Sequence, residues 1–63
     1  MIGDNIKKYR AKYKLTQENL ARKADISYTA LTKIETNVIK SPSVKIMAKI
    51  AKALNTSIEK LIK

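Results

Sequence analysis

Apolar residues recur along this chain at spacings of three and four, the period of a helix, and not in the alternation of a half-buried strand. Ile2, Ile6, Tyr9 and Tyr13 form one stripe, with Lys7, Lys8, Ala11 and Lys12 away from it, which predicts a first helix over about 3–13. Thr16 is placed to cap a second helix, because its hydroxyl can accept from an orphan N–H of the first turn, and Glu18 suits the positive helix end. Asn19 stands where a capping box takes Glu or Gln, so that box is incomplete. Leu20, Ala21 and Ala24 mark this second helix, over about 17–23. Asp25 and Ile26 make a tight turn, and Ser27 caps a third helix over about 28–36 with Leu31 and Ile34 inward.

From Asn37 to Pro42 a loop is expected, since the residue before a proline is biased out of the helical region. Ser43 caps a fourth helix over about 44–54, with Val44, Met47, Ile50, Ala51 and Leu54 inward, and Asn55 can take the left-handed conformation that ends it. Ser57 caps a last helix over about 58–62, closed by Ile58, Leu61 and Ile62. The expectation is an all-α, compact five-helix fold filling one domain, 1–63.

Composition narrows the chemistry. One Gly and one Pro in 63 residues argue against β architecture and long loops. Folding a chain this short buries only about 60% of the surface its unfolded form exposes, so the core is thin. Cysteine and histidine are both absent, which removes disulfides, thiolate nucleophiles and the usual metal ligands and neutral-pH base. No carboxylate or hydroxyl has an activating neighbour that the sequence identifies. We therefore expect no catalytic residue, metal, cofactor or small-molecule ligand.

Fourteen Lys and Arg against five acids give a formal net charge of +9. That excess attracts polyanions, nucleic acid or an anionic membrane surface, unless it is only a solvated lysine-rich exterior. The short, capped helices need their apolar stripes to cover one another, which disfavours lying on a membrane. No apolar run approaches the roughly 20 residues of a membrane span, and the N-terminus lacks the pattern of a signal peptide, so the cytoplasm is the expected compartment.

Residues 17–36 fit two short helices meeting at a corner. A small residue is needed where the helices cross, which Ala21 supplies, and Leu20, Ala24, Ile26, Leu31 and Ile34 face the core. The turn favours positive φ, which Asp tolerates at Asp25. With these residues, the segment Leu15-Thr16-Gln17-Glu18-Asn19-Leu20-Ala21, the run Ser27 to Glu35, Pro42-Ser43, Ile50 to Leu54 and Ser57 to Leu61 together resemble the Cro and phage-repressor (lambda-repressor-like) type of helix-turn-helix domain over about 5–62. Asp25 and Thr36-Asn37 depart from that family's frequent turn Gly and Asn-Gly. The resemblance implies a five-helix fold whose third helix reads base edges of double-stranded DNA. It also implies a dimer on near-palindromic operators, and a transcriptional regulator, most often a repressor. Antitoxins and coactivators that use the same fold to bind a protein are the alternative.

At 100° per residue, Leu31 and Ile34 set the buried side of the third helix, leaving Thr29, Thr32, Lys33 and Thr36 opposite and Tyr28 at the edge. Tyr28, Thr29, Thr32 and Lys33 are the expected base readers, because the N-terminal part of such a helix approaches the bases. Lys33 can donate to guanine, and the Thr methyls and the Tyr28 ring can pack on thymine methyls, although Tyr28 could instead close the core edge. Gln17, Thr36, Asn37, Lys40 and Ser43 are the expected phosphate contacts, Gln17 because the family uses its matching Gln so. Arg10 and Glu35 each sit at the margin of an apolar stripe, and the resemblance implies a salt bridge between them. A homodimer could form through Ile58 and Ile62, which could equally be core.

Overall fold

Four hydroxyl side chains start four of the helices in the computed structural model, which describes residues 2–63. Thr16, Ser27, Ser43 and Ser57 each hold extended backbone and accept from the amide three residues on, those of Asn19, Ala30, Ile46 and Lys60, at 3.0–3.3 Å. Each such cap contributes about 1 kcal/mol. The elements among the described residues are α1 (Ile2–Lys12), α2 (Gln17–Ala24), α3 (Tyr28–Glu35), α4 (Val44–Ala53) and α5 (Ile58–Ile62), with no strand.

The first four helices end alike. Lys14, Asp25, Asn37 and Asn55 take left-handed backbone, with φ of 56°, 57°, 64° and 54°. The next amide then turns back to a carbonyl five residues earlier: Leu15 to Arg10, Ile26 to Ala21, Val38 to Lys33 and Thr56 to Ala51, at 2.8–3.0 Å. This closure satisfies carbonyls that a bare helix end leaves orphaned. No glycine serves at any of the four positions. Because the closure begins just before the left-handed residue, α1, α3 and α4 stop one residue short of the expected ends.

Between these caps the apolar stripes meet. Ile6, Leu20, Leu31, Ile34, Ile50, Leu54 and Leu61 are wholly or almost wholly buried, with Ala21, Ala24, Met47, Ala51 and Ala53 filling the spaces between. Full burial of one large aliphatic side chain stabilises by roughly 1.5–3 kcal/mol. α3 packs chiefly on α1 and α2, α4 on α2 and α5, and α5 on α1. One face of α3 is therefore left uncovered.

Three expected core positions lie outside. Val44 is 77% exposed, because it opens α4 and no element lies over that turn; Ile46 packs against the core instead. Tyr13 is 43% exposed, since α1 stops at Lys12 and the chain turns away at Lys14. Of the pair in α5, Ile58 packs at the core margin and Ile62 is exposed. Gly3 is a packing position that helical period alone does not reveal. A Cβ there would stand 2.6 Å from the Ile34 carbonyl oxygen and 2.7 Å from that of Glu35, so α1 approaches the end of α3 more closely than any side chain permits. No helix among the described residues is long and apolar enough to cross a membrane.

Candidate nucleic-acid interface

The corner between α2 and α3 is built on Ala21 and Ala24, 4% and 3% exposed, with Ile26 packed at the margin of the core. Small side chains let the two helices cross closely. Asp25 makes the turn in the left-handed region, and Ser27 starts α3 at once. α3 then buries Leu31, Ile34 and Glu35.

Burying a carboxylate demands partners. Glu35 is 1% exposed and receives three hydrogen bonds: from Arg10 Nε to Oε2 at 3.0 Å, from Arg10 Nη2 to Oε1 at 3.1 Å, and from Gln17 Nε2 to Oε1 at 3.0 Å. Arg10 also donates through Nη1 to the Leu15 carbonyl at 3.0 Å, which holds the end of α1. The chain of bonds continues outward, with the Tyr28 hydroxyl donating to Gln17 Oε1 at 3.3 Å. Residues from α1, the start of α2 and both ends of α3 are thereby joined. The tilt of α3 is set by this polar network as well as by apolar packing. The margins of two apolar stripes and the family resemblance pointed to the Arg10–Glu35 pair; the addition of Gln17 needed the distance between the start of α2 and the end of α3, which no local pattern carries.

The uncovered face of α3 carries Thr29, Lys33 and Thr36, all exposed, with Thr32 partly exposed and Tyr28 49% exposed at the helix start. Tyr28 therefore stands at the edge of this face and does not plug the core. The Thr32 hydroxyl donates to the Thr29 carbonyl at 2.9 Å, and that of Thr36 to the Thr32 carbonyl at 2.8 Å. Lys33 has no ion pair among the described residues, where the ion pairs are Arg10–Glu35 and the exposed Lys7–Asp4.

Flanking this face, Gln17 is the first residue of α2, its amide already engaged on both atoms. The N–H groups of the α2 first turn point away from the helix and suit an anion. On the other side Lys40 and Ser43 are exposed, and Ser43 accepts from Ile46 N at 3.2 Å, which leaves its hydroxyl proton free. Asn37 is half-buried, and its Oδ1 lies 2.9 Å from where a Gly3 Cβ would be, so its side chain turns toward α1. No group of acids suited to a metal ion occurs among the described residues.

An uncovered helix presented at a corner matches known proteins closely. Residues 6–61 match the helix-turn-helix family. The chain belongs to that family. It is 34% identical over 62 residues to the HTH-type transcriptional regulator SinR of Bacillus subtilis and equally so to that of Bacillus licheniformis, covering 98% of this chain and 56% of each relative. This helix-turn-helix chain thus spans little more than half the length of the curated relatives it matches. Among solved structures, the N-terminal DNA-binding domain of Bacillus subtilis SinR superposes with a TM-score of 0.97 at 33% identity, covering all of this chain and 91% of that one. SinR in complex with DNA, described as the master regulator for biofilm formation, gives 0.96 with full coverage of both chains. SinR in its complex with SinI gives 0.95, covering 61% of that chain.

Proposed function

We propose that this chain is a sequence-specific binder of double-stranded DNA that regulates transcription, as a repressor, from a near-palindromic operator. The observation that carries this is the uncovered face of α3, with Lys33 free of any ion pair among the described residues and the helix held at fixed tilt by Arg10, Gln17 and Glu35. The family and the DNA-bound relative of near-identical fold support it. Tyr28, Thr29, Thr32 and Lys33 read bases in the major groove, and Gln17, Thr36, Lys40 and Ser43 hold phosphates on either side. Asn37 contributes its backbone, since its side chain faces α1.

Two copies engage the two half-sites, spaced about one helical turn apart. Residues 1–63 act as one domain in the cytoplasm, without catalytic activity. The test is affinity for duplexes selected from a random pool, measured against salt. A linear log–log slope of about −0.9 per phosphate neutralised is expected. Failure to retain any duplex at low salt, together with capture of a protein partner, would point instead to a protein-interaction module.

A further inference from the structure

We propose that the Tyr28 oxygen reads DNA as a hydrogen-bond acceptor only, selecting cytosine or adenine through their exocyclic amino groups at one base pair. This rests on the DNA-binding reading above and deepens it to the chemistry of one contact.

The polarity is forced from the buried end outward. Arg10 has only donors to offer, and it places two of them on Glu35. The remaining approach to Oε1 of Glu35 is taken by the Gln17 amide, and an amide oxygen turned toward a carboxylate oxygen would repel it. Nε2 therefore faces Glu35, and Oε1 faces Tyr28. An amide oxygen accepts and cannot donate, so the single phenol proton of Tyr28 lies on Gln17 Oε1, at 3.3 Å. What Tyr28 presents outward is an oxygen with lone pairs and no proton to give.

In the major groove the donors are the amino groups of cytosine N4 and adenine N6, while guanine O6 and N7 and thymine O4 are acceptors. A committed phenol oxygen gains a hydrogen bond from the first pair and faces lone pairs on the second. A freely rotating tyrosine would make no such distinction. Tyr28 is the first residue of α3 and half-exposed, so the oxygen stands where the helix approaches the base edges. One turn on, the Thr32 proton is likewise held by the Thr29 carbonyl.

The experiment is selection from a random duplex pool by the wild-type protein, Tyr28→Phe and Gln17→Met, followed by sequencing of the bound fraction. Wild type is expected to favour cytosine or adenine at one position. Tyr28→Phe should flatten that preference by about two- to tenfold, the worth of one net hydrogen bond, with other positions unchanged. Gln17→Met removes the acceptor and frees the phenol proton, so the same position should widen toward guanine and thymine. Any loss of folded Gln17→Met protein lowers the yield and leaves the base ratio among bound duplexes intact. Unchanged preferences in Tyr28→Phe, or a wild-type preference for guanine or thymine at the position that Tyr28→Phe alters, would overturn the proposal. A wild-type protein that retains no duplex would overturn the DNA-binding reading itself, a result distinct from binding with an unaltered base preference.

Discussion

Arg10 grips Glu35 through two near-parallel hydrogen bonds of 3.0 and 3.1 Å, tying the first helix to the end of the third across 25 residues of sequence. The carboxylate is 1% exposed, whereas the Arg10 side chain keeps 22% of its surface. Removing the guanidinium would leave a buried charge supported by Gln17 alone. Arg10→Ala should therefore lose about 3 kcal/mol or more of folding stability, most of what a thin core supplies. Lys7→Ala, which breaks only an exposed 3.9 Å pair with Asp4, should lose under about 1 kcal/mol. Thermal or urea unfolding measures both. Arg10→Met combined with Glu35→Leu should recover much of the loss, because an apolar pair leaves no stranded charge.

Gly3 admits no side chain. In an exposed helix Gly→Ala gains up to about 1 kcal/mol. Here the added carbon would meet two backbone oxygens within 2.7 Å, and backbone cannot step aside as a flexible side chain does. Gly3→Ala should destabilise by about 1–3 kcal/mol, read as a lower unfolding midpoint. A raised midpoint would mean that α1 and α3 are not so closely apposed.

Lys14 offers the converse. It takes φ of 56° at the end of α1, a conformation that strains an ordinary L-residue by about 1–2 kcal/mol. Lys14→Gly should stabilise by up to about 1 kcal/mol, less than the full strain because glycine also gives the unfolded chain more freedom. Asn37→Gly and Asn55→Gly should gain less, since Asn tolerates this region. Chemical denaturation of the three variants sets the order.

Much of this fold was legible because its signals are local. The hydroxyls at Thr16, Ser27, Ser43 and Ser57 announce helix starts, and Asp25 and Asn55 are residue types that accept left-handed backbone. Lys14 carries no such signal. Its conformation goes with the return of the Leu15 amide to Arg10, whose side chain also binds the Leu15 carbonyl. Val44 shares the period of the core stripe yet sits at the first turn of α4, beyond its neighbours' reach, which period cannot report. The exposed face of α3 followed from the period of Leu31 and Ile34. The direction of each hydrogen bond along Tyr28, Gln17 and Glu35 did not, because it depends on atoms brought together from two helices.

Gln17→Ala bears on phosphate contact. It removes the amide bond to Glu35 and loosens the α2 start, the place proposed to hold a phosphate. Affinity should fall for selected and unrelated duplexes alike. At the one position read by Tyr28 the base preference should also widen, because the phenol proton loses its acceptor; titrations of both kinds of duplex would show this.

The most direct test of the central claim, that the exposed face of α3 reads bases, is Lys33→Ala titrated against a selected duplex and its single base-pair variants. Relaxed preference at one base pair, with a loss of ~1–3 kcal/mol on the selected sequence, is the predicted result. A loss equal for every duplex, with all base preferences intact, would place another surface of the molecule in the groove.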